Sequence, residues 1–204
     1  MLNVGLTGGI ASGKSTVAAM LVAKGAFHID FDVLAHGVEE PDKPAWRAII
    51  DAFGTEILNE DGTINRDGLG AIVFADENKM AQLNAIVHPA VLTAWHRQLE
   101  GIKEEKENAI VLSDVPLLIE AGMQQMVDVV LLVYVSPEVQ LRRLMSRNGY
   151  TRKEAISRLR SQMPIHEKLP LADLIVNNEG SRDETEQQVA ALWQELVRRE
   201  RVKR

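Results

Sequence analysis

Residues Gly8-Gly9-Ile10-Ala11-Ser12-Gly13-Lys14-Ser15-Thr16 place a glycine, four residues and then Gly-Lys-Ser in the spacing that cradles a polyphosphate. Backbone N–H groups of such a turn wrap the phosphate oxygens, and the positive end of a following helix favours their charge. Lys14 is placed to reach the β- and γ-phosphates, and the Ser15 hydroxyl to ligate Mg²⁺. Apolar Val4-Gly5-Leu6 ahead of the turn and helix-forming Val17-Ala18-Ala19-Met20-Leu21 behind it supply the strand and helix this motif needs. The expected ligand is a nucleoside triphosphate, with Gly9, Ala11, Ser12, Gly13, Lys14, Ser15 and Thr16 around its phosphates. The competing reading is a glycine-rich turn with a chance Lys-Ser pair, against which both flanks speak.

Phosphoryl transfer also needs a group that orients or deprotonates the attacking hydroxyl. Asp30-Phe31-Asp32 is expected to end the second strand, where carboxyl ends converge on a ligand crevice, and strand alternation predicts Asp30 and Asp32 on one side. A helix N-cap competes for either aspartate, because Val33-Leu34-Ala35 can begin a helix; Asp32 is read as the general base. Asp114, closing Ile110-Val111-Leu112-Ser113, stands where an acid serves Mg²⁺ or its waters. Ser136-Pro137-Glu138 predicts a helix start with a polar cap, and that helix carries Arg142, Arg143 and Arg147. After Asn148-Gly149-Tyr150-Thr151 a further helix holds Lys153, Arg158 and Arg160. This is either a solvated basic face or, as in kinases built on a phosphate loop, a lid that brings Arg143 and Arg147 onto the transferred phosphate.

The elements that must position these groups show in the apolar runs at 2–7, 26–29, 109–112, 127–134 and 174–176, with helical patterns between most of them. They predict an α/β fold, a five-stranded parallel sheet flanked by helices. Roughly eighty residues separate the second and third runs, where a simple crossover needs about a dozen. Helices are predicted there over 45–53, 67–74, 77–86 and 89–106, the last starting at Pro89. The insertion binds substrate or merely embellishes the fold. The expected division is a nucleotide-binding core of 1–34, 109–136 and 170–204, a helical insertion of 35–108 and a lid of 137–169. The basic run Arg198-Arg199-Glu200-Arg201-Val202-Lys203-Arg204 suits a helix C-terminus and needs no ligand.

Composition narrows the partners. The 204 residues, 46% hydrophobic and 25% charged, fit one elaborated domain, and no apolar run reaches bilayer-spanning length. The N-terminus lacks the layout of a secretory signal, so a cytoplasmic location, where ATP is abundant, is expected. Absence of cysteine excludes disulfides, a thiolate nucleophile and cysteine-bound zinc. A net charge of −6 argues against nucleic acid as the main partner. His28, His36, His88, His96 and His166 form no compact ligand set, leaving Mg²⁺ delivered with the nucleotide as the only expected metal.

Over nearly its whole length the chain resembles the dephospho-CoA kinases. Leu6–Thr16 is similar to that family's phosphate loop, Ile29-Asp30-Phe31-Asp32 to its Asp-x-Asp element, and Asn65-Arg66 and His88-Pro89 recur within the insertion. Asp114-Val115-Pro116-Leu117-Leu118-Ile119-Glu120 resembles the Pro-Leu-Leu-x-Glu signature, with Ile119 where Phe is common. Arg143, Arg147, Arg158, Gln162 and Lys168 match the lid and the segment after it; Ala172-Asp173 leads to Asn178 and Gly180 on the adenine side, with Asn177 replacing a frequent aspartate. The resemblance implies a P-loop kinase that moves a phosphoryl group from ATP, with Mg²⁺, to the 3′-hydroxyl of the ribose of dephospho-CoA. It implies that Asp32 takes the hydroxyl proton while Lys14, Arg143 and Arg147 offset phosphate charge. Arg143 and Asn178 would also contact ATP, and Arg66, Pro116 and Leu117 the acceptor; His88 touches substrate or fixes the turn before Pro89. No nucleic acid or membrane partner is expected, and the chain would act as a monomer or small homo-oligomer.

Two rivals remain at this level. One is another small-molecule kinase of the same fold, acting on a nucleoside, a nucleoside monophosphate or a sugar acid. The other is a nucleotide switch, but a guanine-reading Asn-Lys-x-Asp is missing: Asn78-Lys79-Met80-Ala81 lacks the aspartate, and Asp67-Gly68-Leu69-Gly70 follows no apolar strand and is expected to open a helix.

Overall fold

Burial at every position of Leu2–Gly8 (β1) marks a strand covered on both faces, and it is the centre of the sheet. The computed structural model describes residues 1–203. After β1 the chain forms Lys14–Ala23 (α1), Phe27–Asp30 (β2), Phe31–Val38 (α2), Pro44–Phe53 (α3), Arg66–Phe74 (α4) and Glu77–Glu105 (α5). It continues through Ile110–Asp114 (β3), Val129–Tyr134 (β4), Pro137–Asn148 (α6), Arg152–Arg160 (α7), Ile165–Lys168 (α8), Leu174–Asn177 (β5) and Arg182–Lys203 (α9). The strands lie in the order β2-β3-β1-β4-β5, with β1 paired in parallel to β3 and β4, and β4 to β5. This is the five-stranded parallel sheet flanked by helices that the apolar runs predict. Its order switches direction at β1, which opens a crevice at the carboxyl ends of the central strands.

Two compact units divide the chain. The first, 1–29 with 102–204, holds the sheet, α1 and α9, and its core joins Val4, Leu6, Val17, Leu21, Leu131, Val133, Val189 and Leu196. The second, 30–101, gathers Ile49, Ile57, Ile64, Leu69 and Val73 into its own core, with Trp46 and Phe53 packed against it. Trp46 fills that edge without an orphaned donor, because its Nε1–H reaches the Gly62 carbonyl at 2.9 Å. Ile49 is fully buried, so Ile49→Ala is expected to cost about 2–5 kcal/mol, read as a lower urea midpoint of unfolding.

One expectation fails in the second unit. Pro89 does not start a helix; it sits inside α5, which runs unbroken where two helices were expected. Proline removes one backbone hydrogen bond, but Val91, Trp95 and Leu99 recur four residues apart as one buried stripe. Trp95 packs at 5.5 Å between ring centroids on Phe31. Packing of that stripe keeps the helix continuous through the break.

Candidate active site

The sharp exit from β1 into α1 builds the phosphate loop. Gly13 occupies the N-cap of α1 with φ +86°, a conformation open to glycine, and a methyl there would collide with the Asn178 amide. Ala11 also has positive φ, at 60°, and for a non-glycine residue this strain costs on the order of 1 kcal/mol. The buried Asn178 braces the loop: its Nδ2 donates to the Ser12 carbonyl at 2.8 Å and its Oδ1 accepts from Thr185 Oγ1 at 2.9 Å. Arg143, from α6, donates through Nη2 to the Asn178 carbonyl at 2.7 Å and through Nη1 to the Ser12 carbonyl at 3.4 Å. Ser12, Gly13, Arg143 and Asn178 therefore meet at the loop.

Beside the loop, Lys14 Nζ pairs with Asp114 Oδ1, and His28 Nε2 lies 3.3 Å from Asp114 Oδ2. The register of β1 with β3, Leu6 opposite Asp114, brings this acid to the lysine. Asp114 is buried, so its carboxylate depends on such partners. His28 was not among the expected site residues; its signal was indirect, since it lies on β2, beside the strand that carries Asp114.

Alternation does not describe Asp30 and Asp32. The strand ends at Asp30, whose carboxylate caps α2 by accepting from Asp32 N at 2.8 Å and Val33 N at 3.3 Å, so the N-cap alternative holds for Asp30. A side chain committed to the cap at a strand-to-helix junction no longer follows the strand's two-residue period. Asp32 stands exposed in the first turn of α2, where an acid meets the positive end of the helix dipole. Within the same unit Arg66 opens α4 and pairs with Glu39 at 2.6 Å, and His88 is an exposed residue of α5. Asp67 and Gly68 lie in the first turn of α4, and Asn78–Ala81 lie within α5, so the first string forms no switch loop and the second no base-reading loop.

The remaining expected residues follow β3 and β4. Pro116 accepts from Thr7 Oγ1 at 3.1 Å, while Leu117 beside it is exposed. Arg147, in the last turn of α6, is exposed and donates to Asn148 Oδ1 at 2.9 Å. Pro137 starts α6 as expected, but Ser136 makes no side-chain cap bond; its N–H donates to Glu179 Oε1 at 2.6 Å. The Ser136 hydrogen bonds hold the Glu179 carboxyl below its usual range, with Arg143 and Arg142 adding to the effect. Among the described residues no helix is long and apolar enough to cross a membrane.

A phosphate loop by itself also serves motors and switches, but here the helix after β4 brings an arginine onto the loop carbonyl, while the acid ending β3 grips the loop lysine. Fold and site together define a P-loop kinase. A shikimate kinase from Bacteroides thetaiotaomicron shares the fold at 17% identity, TM-score 0.51, over 96% of this chain and 98% of that one. The chain belongs to the dephospho-CoA kinase family, whose model matches residues 2–184. It is 58% identical over 204 residues to a dephospho-CoA kinase of Syntrophus aciditrophicus (strain SB), covering 100% of this chain and 87% of that protein. A dephospho-CoA kinase of Geobacillus kaustophilus (strain HTA426) is 49% identical over 94% of each chain. The structure of the dephospho-CoA kinase from Campylobacter jejuni superposes with TM-score 0.74 at 29% identity, over 96% of this chain and 97% of that one.

Proposed function

We propose that the chain transfers the γ-phosphoryl group of ATP to the 3′-hydroxyl of the ribose of dephospho-CoA, giving coenzyme A and ADP as the final step of coenzyme A synthesis. The observation that carries this reading is the span of the family match, residues 2–184, which takes in the helical unit 30–101 as well as the phosphate loop.

Gly9, Ala11, Ser12, Gly13, Lys14, Ser15 and Thr16 hold the donor phosphates, and Lys14 leaves Asp114 to meet the β- and γ-phosphates. Arg143 and Asn178, already joined at the Ser12 carbonyl, support the loop and the nucleotide, and Arg147 adds charge as the 137–169 segment closes as a lid. The Ser15 hydroxyl and the Asp114 carboxylate are oxygen donors of the kind Mg²⁺ prefers, so they would hold it directly or through water. The ion supplies charge neutralisation to the phosphates. Asp32 accepts the proton of the 3′-hydroxyl, and its exposed carboxylate supports that role. Arg66 and His88 of the helical unit, with Pro116 and Leu117, receive the acceptor. The protein acts in the cytoplasm as a monomer or small homo-oligomer.

Arg143→Ala is expected to lower kcat with ATP by about 10²-fold, in the range for removing one charge-stabilising donor, with little change in the acceptor KM. Steady-state kinetics in both substrates check it. An unchanged kcat would remove Arg143 from the transferring centre.

A further inference from the structure

Ile10 stands at the tip of the phosphate loop, and both of its backbone polar groups are taken by glutamine side chains from distant segments. Its N–H donates to Gln162 Oε1 at 2.9 Å, and its carbonyl accepts from Gln140 Nε2 at 2.8 Å. The partners fix which end of each amide faces the loop: an N–H demands the oxygen of Gln162, a carbonyl the NH₂ of Gln140. We propose that Gln140 and Gln162 are positioning residues for the donor triphosphate, a clamp that holds the loop in its phosphate-binding shape.

Three observations support the clamp. Holding the peptide planes on either side of Ile10 restricts both of its dihedrals and aims the next residue, Ala11, whose φ of 60° is strained for a side-chain-bearing residue and persists only when its surroundings enforce it. Gly9 fits the same purpose, since a methyl at that position would run into the Gln140 amide. The clamp is also anchored. Gln140 is 4% exposed on α6, and Gln162 lies just before Met163, whose N–H donates to Glu120 Oε1 at 3.3 Å. Lys168, wholly buried, forms an ion pair with that same oxygen, its Nζ 2.7 Å away. The segment that presents Arg143 thus also sets the loop it acts on.

This inference rests on the reading that the loop binds ATP, and its primary readout, analogue binding, needs no acceptor, so an error in the acceptor's identity leaves that readout intact. The probe is the unhydrolysable analogue AMPPNP with Mg²⁺, titrated by calorimetry, alongside kcat and KM for ATP and for acceptor. Gln162→Leu and Gln140→Leu are each expected to weaken AMPPNP binding about five- to tenfold and to raise the KM for ATP, the size of one lost hydrogen bond, with the acceptor KM within about twofold. Glutamate at either position adds the same charge beside the same residue but keeps only an acceptor. Gln162→Glu is therefore expected to bind within about threefold of the parent, while Gln140→Glu falls with Gln140→Leu. If the buried Gln140 variants lose their cooperative melting, the Leu and Glu pair at Gln162 decides alone. Parental AMPPNP affinity in Gln162→Leu would overturn the clamp. So would an acceptor KM that rises in parallel with that for ATP, or a Gln162→Glu as damaged as Gln162→Leu.

Discussion

Asp32→Asn is expected to lower turnover by about 10²–10⁴-fold while AMPPNP affinity stays within about twofold. The substitution preserves shape and removes the negative charge together with the capacity to accept a proton. Asp30, not Asp32, caps α2, and Asp32 contributes to that cap through its backbone N–H, which asparagine keeps. Loss of a first-turn acid at a helix N-terminus costs about 0.3–1 kcal/mol, too little to lower turnover by orders of magnitude through instability. Single-turnover rates and analogue titration separate the two effects. Near-normal turnover would dismiss Asp32 as the base and move the search to other acids of the acceptor side.

Lys14→Ala is expected to damage binding and chemistry together, lowering kcat/KM for ATP by about 10³-fold or more, because the lysine meets the phosphates in ground state and transition state alike. It also strips the buried Asp114 of its cation, leaving His28 as the partner seen on its other oxygen, so Tm should fall as well. A double variant, Lys14→Ala with Asp114→Asn, separates the causes. Removing the stranded charge should restore much of the Tm and none of the activity. Because Asp114 is itself assigned to Mg²⁺, activity is read in Lys14→Ala alone: a parental kcat/KM for ATP beside a lowered Tm would mean that Lys14 served the fold and not the phosphates.

What the sequence revealed follows the range of the forces involved. The phosphate loop was legible because its determinants are local: glycines at the turn, a strand before it and a helix after it. The sheet was legible because strands buried on both faces leave unbroken apolar runs, as at β1 and β4. Pro89 misled because a local stop signal lost to a stripe of buried residues four apart. Asp30 and Asp32 misled because the strand hands over to a helix within one residue, and capping replaces alternation there.

Interactions that join distant segments were beyond pattern reading. Arg143 reaches Ser12 across 131 positions and Asn178 reaches it across 166, so their meeting depends on the sheet order that sets β4 beside β1 and β5 beside β4. His28 with Asp114, and Gln140 and Gln162 with Ile10, are of the same kind. A neutral glutamine carries no signal of its own until its amide is seen to meet a partner.

The central claim is the identity of the acceptor, and a coupled ADP-release assay tests it directly. With ATP and Mg²⁺ present, dephospho-CoA is compared with shikimate and a panel of nucleosides and nucleoside monophosphates, and the product is located by phosphorus NMR. The predicted result is rapid ADP release with dephospho-CoA alone, a new phosphomonoester at the ribose 3′ position, and little release without acceptor. Phosphorylation of a nucleoside monophosphate with none of dephospho-CoA would contradict the account.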